Sequence, residues 1–268
     1  MSGSEEPALR PWPVSNPWSG APVLYRERTR STMEDAMRLH ELGYPHGTVV
    51  VAGYQELGRG RLPGRRWESE PGANLLFTLL LTRPFPGPPL RLPVLAGLAL
   101  SLALEERFGL STEVKWPNDV LHRRRKLAGV LCEARSLSEE RPVLLVGIGV
   151  NANQRCFAAG LAGQVCSLAQ LLDREVELPG LLEHVLKAFF AVLQNSSWRG
   201  RLEPRLCGLG QEVTVVQAPE GGLTGVLRGV AEDGALLLEQ DGQLRPVYGG
   251  ELRLLLQPDA QAEAFGAP

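Results

Sequence analysis

Hydrophobic residues follow two patterns along this chain. Runs typical of buried strands cover residues 48–52, 73–81, 127–132 and 142–150. Apolar residues at helical spacing predict helices over residues 92–108, closed by Gly109, and over residues 178–195. Ser31-Thr-Met-Glu34 has the form of a capping box, which predicts a short helix that ends in a left-handed cap at Gly43. These elements predict a mixed body of strands and helices.

The pattern changes from Gly210 onward. Short apolar runs separated by turn signals occupy residues 213–216, 226–230, 235–239 and 252–256. Asp233-Gly234 and Asp241-Gly242 lie between such runs and predict hairpins. We therefore expect a small all-β barrel at the end of the chain, with the domain boundary near residues 207–210.

The two ends of the chain lack periodicity. Residues 1–22 contain five prolines, and we expect them to form a flexible or draped leader. We expect residues 258–268 to be a frayed tail. The predicted fold class is α+β, with a mixed-sheet main domain at residues 23–208 and a β-barrel at residues 209–257.

Composition describes an ordinary globular protein. With 268 residues, 44% of them hydrophobic, the chain can bury a sizeable core. A net charge of -2 argues against a surface wholly adapted to nucleic acid. No apolar run is long enough to cross a bilayer, so membrane insertion is not expected. The four cysteines and four histidines show no metal-ligand spacing, and we expect reduced thiols in a cytoplasmic protein.

Residues 115–129 combine polar chemistry with a buried strand. Lys115, Trp116, Asn118, Asp119 and Lys126 bring together cations, an aromatic ring, an amide and a carboxylate. Such a mixture is costly to bury and unnecessary for a core. The apolar run that follows predicts that the cluster lies on a bend between two core strands, which is how binding sites are built.

A second basic cluster runs from Gly58 to Trp67. Its glycines do not fit the dinucleotide or P-loop motifs, which disfavours a Rossmann-type nucleotide fold. The remaining interpretation is a flexible loop whose arginines clamp anionic oxygens when it orders over a ligand. For Arg65 and Arg66 a solvated basic loop is an equal alternative. Gly58, Gly60 and Gly64 would act as hinges.

Three weaker signals have structural alternatives. Arg123 and Arg124 are expected at a solvated hairpin tip, whereas Lys126 borders the buried strand and should have a fixed direction. The glycines of Val146-Gly-Ile-Gly-Val-Asn151 indicate either the close approach of a ligand or a tight strand end. A capping box alone would explain Ser31.

These segments together resemble the biotin protein ligase family over roughly residues 23–256. The resemblance implies the biotin/lipoate ligase fold with an SH3-like C-terminal barrel. Three positions depart from the family pattern: Met33 replaces a polar amide, Leu62-Pro63 lengthens the arginine loop, and the segment before Ser31 is too short for the helix-turn-helix domain of repressor relatives. The motifs that carry the resemblance are Ser31-Thr32, Gln55 with Gly58-Arg-Gly-Arg61, Trp67 with Gly72-Ala-Asn74, Lys115-Trp-Pro-Asn-Asp119, Lys126-Leu-Ala-Gly129, Gly147-Ile-Gly-Val-Asn151, Gly234 to Gly242 and Gly249-Gly-Glu251.

The implied activity has two steps. Biotin reacts with ATP to give biotinyl-5'-AMP and pyrophosphate, and a lysine of a biotin carboxyl carrier protein then takes the biotinyl group. The implied small molecules are ATP, Mg²⁺ and biotin as substrate. The resemblance further implies a monofunctional enzyme that binds no specific DNA, and a possible homodimer through the sheet of the main domain.

The resemblance also implies roles for individual residues. Asp119 would accept the proton of the incoming lysine or hold magnesium with ATP; the protein alone supplies no metal site. The catalytic residues would be Arg61, Lys115, Asp119 and Lys126. The biotin-binding residues would be Ser31, Thr32, Met33, Gln55, Arg59, Gly60, Arg61 and Lys126. The ATP-binding or adenylate-binding residues would be Arg59, Arg61, Trp67, Lys115, Asn118, Lys126 and Asn151.

Two other functions remain open at this point. A lipoate–protein ligase would share the fold and the adenylation chemistry, although the complete Lys115-to-Asp119 motif and the barrel favour biotin. A non-enzymatic nucleic-acid-binding module is suggested by the two arginine clusters and the small barrel. This second alternative lacks aromatic residues interleaved along the barrel strands.

Overall fold

The computed structural model describes residues 8–85, 87–135, 143–217 and 221–254. Two sheets organise these residues: an eight-stranded sheet of order β1-β2-β3-β4-β8-β7-β6-β5 and a five-stranded sheet of order β12-β11-β10-β9-β13. The strands of the first sheet are β1 (Arg10–Pro11), β2 (Val23–Thr29), β3 (Val49–Gln55), β4 (Leu75–Leu81), β5 (Glu113–Lys115), β6 (Asp119–His122), β7 (Arg125–Arg135) and β8 (Val143–Val150). The helices are α1 (Thr32–Glu41), α2 (Arg91–Phe108), α3 (Leu168–Leu172), α4 (Leu178–Leu193) and α5 (Trp198–Leu202). The second sheet consists of β9 (Glu212–Val216), β10 (Gly222–Val230), β11 (Leu236–Gln240), β12 (Gln243–Val247) and β13 (Glu251–Leu254).

The predicted strands and helices are present, with shifted ends. Gly109 closes α2 with a φ of 66°, and Gly43 follows α1 with a φ of 82°. The structure places β3 three residues beyond its predicted end, so that the strand delivers Gln55 beside α1. Between the strands of the described residues every pairing is antiparallel except that of β2 with β3, which α1 connects.

The capping-box prediction is wrong. Ser31 is the N-cap residue of α1, but its side chain makes no capping hydrogen bond. The Oε1 atom of Gln55 instead accepts a hydrogen bond of 2.8 Å from the backbone N–H of Thr32. A side chain distant in sequence therefore satisfies one of the unpaired amides at the start of the helix. The Ser31 hydroxyl is not used for this purpose.

Helices cover both faces of the main sheet. The nearly all-apolar helix α2 lies on one face together with α4, and its residues from Leu92 to Leu104 are almost all buried. On the opposite face, Met33, Ala36 and Leu39 of α1 pack against strand residues such as Leu80. The eight-stranded sheet is thus a rigid support, and polar residues at its strand ends can be held in fixed positions.

Part of the predicted leader is draped over the main domain. Residues Arg10–Pro11 pair with the edge of β2, and the Trp18 side chain is 7% exposed. The Trp18 ring meets Phe189 and Phe190 of α4 edge to face, with ring centroids 6.5 and 5.2 Å apart. For residues 8–22 the draped arrangement is therefore the one observed, and residues 1–7 lie outside the described residues.

The cysteines carry free thiols. Burial raises the pKa of Cys132 and Cys166, and it raises the pKa of Cys207 to about 11. These three thiols are therefore protonated at neutral pH and poor nucleophiles. In the part of the chain that the structure describes, no helix is both long enough and apolar enough to span a lipid bilayer.

His46 is expected to make stability depend on pH. Its Nδ1 atom accepts hydrogen bonds from the backbone N–H groups of Thr82 and Arg83 at 3.0 and 3.1 Å, which requires an unprotonated Nδ1. Burial and, secondarily, the charge of Arg83 lower the pKa of His46 from 6.5. Because the folded protein binds this proton more weakly than the unfolded chain, stability is lost as the pH falls through 6.5 towards the lowered pKa.

The corresponding measurement is urea unfolding of the wild type and of His46→Asn between about pH 7.5 and 5.5, around the ordinary histidine pKa. Asparagine keeps a side-chain acceptor but does not titrate in this range. We expect the free energy of unfolding to fall less steeply with decreasing pH in the variant. Parallel curves for the two proteins would contradict this assignment.

Candidate active site

A cleft with two adjoining chambers opens at the strand ends of the main sheet. Gly60, Arg61, Trp67, Asn118 and Lys126 line both chambers. The first chamber is also lined by Ser31, Thr32, Met33, Gln55, Arg59, Phe77, Gly129, Val130, Leu131, Gly147, Ile148 and Gly149. The second is also lined by Leu62, Arg65, Arg66, Glu68, Lys115, Trp116, Pro117, Asp119, Leu121, Arg124, Asn151, Phe157, Leu161, Gly163, Gln164, Val165, Glu251 and Leu254. Every site residue predicted from the sequence lies on this cleft.

Hydrogen bonds fix the polar end of the first chamber. Gln55 Oε1 accepts from both the backbone N–H and the hydroxyl of Thr32, at 2.8 and 3.0 Å. The Thr32 hydroxyl also lies 2.8 Å from that of Thr78, a fully buried residue of the central strand β4. Because the Gln55 oxygen is occupied in this way, its amide nitrogen is the part that can donate to a ligand. The rest of the first chamber is largely apolar.

A bend between β5 and β6 carries the polar cluster, as predicted. The Asn118 backbone and side chain both bond to Val130 of β7: the Val130 N–H donates to Asn118 O at 2.8 Å, and Asn118 Nδ2 donates to Val130 O at 2.9 Å. Lys115 precedes the bend at the end of β5 and pairs with Asp119 across the β5–β6 ladder. The bend is therefore held against the central part of the sheet.

Lys126 occupies the junction of the two chambers. Its Nζ atom lies 2.8 Å from Asp119 Oδ1 and 5.6 Å from the centre of the Trp67 ring. The lysine side chain is 33% exposed and the aspartate 22%, so both reach the cleft. The ion pair fixes the direction of the ammonium group, which lies where the two chambers meet.

Paired glycines form the floor beneath Trp67. Gly129 of β7 lies opposite Gly149 of β8 in the antiparallel ladder. A Cβ atom added at Gly149 would lie 2.6 Å from Trp67 Cε2, and one added at Gly129 would lie 3.0 Å from Trp67 Cζ3. For Gly149 the sequence left open the close approach of a ligand or a tight strand end, and the group that approaches this glycine in the structure is the protein's own Trp67 indole.

The arginine loop crosses the cleft from the main domain to the C-terminal sheet. Arg61 Nε donates to Asn118 Oδ1 at 3.2 Å, and Arg61 Nη2 donates to the carbonyl of Gly250 at 2.7 Å. Arg59 pairs with Glu133 of β7 at 3.1 Å. Burial lowers the pKa of Arg61, and the charges of Asp119 and Glu251 oppose this effect. The loop therefore holds a partly buried cation over the junction of the chambers.

The remaining predicted residues lie around the second chamber. Asn151 Nδ2 donates to the carbonyl of Cys166 at 3.1 Å, which fixes its side chain at the end of β8. Arg65 and Arg66 both line this chamber, and Arg65 Nη2 lies 4.0 Å from Glu251 Oε2. Both arginines border the cleft and are exposed, Arg65 with 69% of its side chain, so the anion clamp and the solvated basic loop both stay predictions for them.

Sequence reasoning missed some of the second chamber. Arg123 and Arg124 occupy the predicted hairpin tip, with φ angles of 48° and 65°. Arg124 is exposed at this tip as predicted, and its side chain in addition lines the chamber and donates to Cys207 Sγ at 3.9 Å, which the sequence did not indicate. Phe157 and Leu161 were also missed, and their only signal was a pair of apolar residues in a glycine-containing loop after Asn151.

The chemistry of this cleft suits two anionic substrates. Lys126, Arg61 and Lys115 supply cations around the cleft, together with the amide of Asn118, and the carboxylate of Asp119 lies beside Lys126. Cations held in a partly buried site can bring anions together and stabilise negative charge that develops during a reaction. A chamber with apolar walls and a polar end, beside a second chamber that holds more cations, suits a protein that joins a carboxylic acid with an apolar body to a phosphate compound.

Comparisons with known proteins agree with this class. The model of the Biotin/lipoate A/B protein ligase family matches residues 25–153, and that of the biotin protein ligase C terminal domain matches residues 208–254. A biotin protein ligase from Aquifex aeolicus, solved in complex with biotin and ATP, superposes with a TM-score of 0.76 and 33% identity. The match covers 88% of this chain and 99% of that one.

Two relatives are similar over most of their length. The bifunctional ligase/repressor BirA of Bacillus subtilis is 30% identical over 247 residues, which cover 88% of this chain and 74% of BirA. A biotin–[acetyl-CoA-carboxylase] ligase of Paracoccus denitrificans is 31% identical over 229 residues, which cover 79% of this chain and 91% of the relative. The chain belongs to the biotin protein ligase family. It is an enzyme of the ligase class, and the predicted family and fold class are confirmed.

Proposed function

We propose that this protein activates biotin with ATP as biotinyl-5'-AMP and transfers the biotinyl group to a lysine of a biotin carboxyl carrier protein. The observation that carries this proposal is the position of Lys126, beside Asp119 and Trp67 at the junction of an apolar and a cationic chamber. Biotin would occupy the first chamber and the nucleotide the second. Their reacting ends would meet at the Lys126 ammonium group.

In the first step a biotin carboxylate oxygen forms a bond to the α-phosphorus of ATP while the bond from that phosphorus to the bridging oxygen breaks and pyrophosphate leaves. The reaction needs no protein nucleophile, because the carboxylate itself attacks. It does require that two anions approach each other. Lys126 and Arg61 would screen this repulsion and stabilise the negative charge on the oxygens of the α-phosphate, with Lys115 and Arg59 in support.

Substrate positioning follows from the remaining contacts. The Gln55 amide nitrogen, Ser31 and Thr32 would bind the polar groups of biotin, and Met33 and Gly60 would line its rings. Trp67 and Asn118 would border the adenylate, and Asn151 would border the adenine. Each of these side chains lies on the cleft, which is why they are proposed for these roles.

Mg²⁺ would enter with the phosphates of ATP. This ion keeps several waters and takes one or two carboxylates in such sites, and the donor set of the second chamber fits that requirement through Asp119. When bound, Mg²⁺ would neutralise phosphate charge. Lys126 would keep the Asp119 carboxylate in place by the ion pair of 2.8 Å.

In the second step the uncharged amine of the carrier lysine attacks the carbonyl carbon of the mixed anhydride. A new amide bond forms, the bond from the carbonyl to the phosphate oxygen breaks, and AMP leaves. The amine must lose a proton, and Asp119 is the carboxylate on the cleft that borders the junction. The arginine loop would exclude water from the anhydride until the carrier arrives.

The direct test is incubation with biotin, MgATP and a biotin carboxyl carrier domain, followed by mass measurement of the carrier. We expect one added biotinyl group on a single lysine. Pyrophosphate exchange that depends on lipoate instead of biotin would favour the lipoate ligase alternative. The nucleic-acid module would require RNA binding with a steep salt dependence and no modified carrier.

Arg61→Gly is expected to release the adenylate faster. The substitution removes the two hydrogen bonds that join the loop to Asn118 and to the carbonyl of Gly250. Without this clasp we expect escape of labelled biotinyl-5'-AMP to accelerate by at least about tenfold, the effect of losing roughly 1.4 kcal/mol. Arg228→Gly, in the exposed pair of Arg228 with Glu239, is the matched control. Unchanged retention in a filtration assay would refute this role.

Four expectations stay predictions: a homodimer, the absence of specific DNA binding, a cytoplasmic location and the domain boundaries. Analytical ultracentrifugation with and without biotin and ATP tests the first. A nanomolar footprint on any promoter would contradict the second. Limited proteolysis near residues 207–210 tests the boundary between the main domain and the barrel.

A further inference from the structure

A turn of the C-terminal sheet reaches the bend that carries the polar cluster. The turn between β10 and β11, residues 231–234, lies against the start of α2 and against Trp116. The Trp116 side chain is 1% exposed, and its Nε1 atom donates a hydrogen bond of 3.0 Å to the carbonyl of Gly234. One side chain of the site motif is therefore fixed by the backbone of the other domain.

Gly234 fits this position closely. Its φ is +93°, and a Cβ atom added there would lie 2.7 Å from the Cα atom of Arg91 and 2.8 Å from its backbone nitrogen. The turn can approach the first turn of α2 only because residue 234 has no side chain. The neighbouring Glu232 pairs with Arg91 and Arg199, but its side chain is 60% exposed, so these ion pairs contribute little to the contact.

The bend from Lys115 to Asp119 thus has two anchors in two domains. Asn118 holds its second half to Val130 of β7 within the main domain. Trp116 holds its first half, next to Lys115, to the C-terminal sheet. Loss of the Trp116 anchor would leave Lys115 held by its ladder pairing with Asp119 and by the hydrogen bond from the Asn118 N–H, without the support of the C-terminal sheet, and would leave Asn118 bound to Val130. The polar end of the first chamber, at Gln55, shares neither anchor.

We propose that Trp116 is a positioning residue through which the turn at residues 231–234 holds Lys115 in the nucleotide chamber. This inference rests on the function proposed above. It assigns to the C-terminal domain a part in ATP binding through this turn, separate from its contact with Arg61. Removal of the indole N–H leaves the buried Gly234 carbonyl without this hydrogen bond. We expect ATP binding, which depends on the position of Lys115 in the bend, to weaken about tenfold.

The test compares Trp116→Phe with Trp198→Phe. Both tryptophans are almost fully buried, but Trp198 Nε1 has no hydrogen-bond partner among the described residues, so its replacement removes an indole without removing such a bond. In biotin-dependent pyrophosphate exchange we expect Trp116→Phe to raise the KM for ATP about tenfold. The dissociation constant for biotin, measured by calorimetry without ATP, should not change. Trp198→Phe should leave both unchanged.

A second pair of variants approaches the contact from the other domain. Gly234→Ala and Gly242→Ala both place a side chain at a positive φ, but only at Gly234 would the new Cβ meet backbone atoms. Gly242 lies in the β11–β12 hairpin with nothing within 4 Å of the added atom. We expect Gly234→Ala, and not Gly242→Ala, to reproduce the change in the KM for ATP. Equal KM values for ATP in Gly234→Ala and Gly242→Ala would overturn the proposal.

Hydrogen exchange supplies a readout that does not depend on activity. Backbone amides of residues 113–121 should exchange faster in Trp116→Phe than in Trp198→Phe at a temperature where both are folded. If the wild type shows no biotin-dependent exchange of pyrophosphate, the proposed function fails, and hydrogen exchange still decides whether the turn holds the bend. If the wild type is active, and Trp116→Phe and Trp198→Phe agree in the KM for ATP and in the exchange of the amides of residues 113–121, only the positioning role of Trp116 fails.

Discussion

Lys126→Ala is expected to lower the rate of biotin-dependent pyrophosphate exchange by about 10³-fold, the effect of removing a preorganised charge from a reaction centre. Its ammonium group is fixed by the Asp119 carboxylate at 2.8 Å and lies at the junction of the two chambers. No other lysine of the described cleft lines both chambers, because Lys115 lines only the second. Without this charge, the repulsion between the biotin carboxylate and the phosphates of ATP is screened less.

The matched control is Lys187→Ala, since Lys187 is exposed on α4 and lies outside the cleft. Removal of Lys126 also leaves Asp119 without its ion-pair partner, and Lys126→Arg, which keeps a cation beside this carboxylate, should retain more of the exchange rate than Lys126→Ala. Urea unfolding should show that each variant retains its fold. A near-normal exchange rate in Lys126→Ala would remove Lys126 from the mechanism.

Gly149→Ala is expected to lower kcat/KM for biotin by about 10²-fold, which is the typical effect of a displacement of about 1 Å at a reacting centre. The added Cβ would lie 2.6 Å from Trp67 Cε2, so the indole must move away from β8. Trp67 also lies 5.6 Å from Lys126 Nζ. Displacement of the ring would therefore change both the floor of the cleft and the surroundings of the ammonium group.

Gly200→Ala serves as the control because a Cβ at Gly200 meets nothing within 4 Å and the residue lies in α5, away from the cleft. The measurement is steady-state biotinylation of the carrier, accompanied by thermal unfolding of each variant. A Gly149→Ala enzyme with wild-type kinetics would show that Trp67 can shift without consequence for either substrate.

The element types were predictable from local pattern. The apolar α2 closed by Gly109 and the hairpin at Arg123-Arg124 both follow from short-range preferences of the backbone. The bend at residues 115–119 followed from a polar cluster beside an apolar run. These features depend on neighbouring residues, and the sequence displays such neighbours directly.

The errors arose where a distant segment replaced a local partner. Ser31 has the sequence context of a capping residue, yet the amide of Thr32 bonds to Gln55 instead, 23 residues away. Arg124 occupies the predicted exposed tip, but its contact with Cys207, 83 residues away, had no signal in the sequence. Of the flexible and draped arrangements expected for the leader, the packing of Trp18 against α4 shows the draped one for residues 8–22. Local patterns do not encode which distant group comes near.

The family, the order of the elements and most of the polar side chains around the cleft could be predicted from the sequence. Only the tertiary structure shows which atoms of those side chains are bonded within the protein and which remain available to a ligand. The bond from Trp116 to Gly234 spans 118 residues, and that from Arg61 to Gly250 spans 189. Such bonds form only when two separately specified surfaces pack together. Periodicity records which face of an element is buried, whereas the partner of that face is set by the fold.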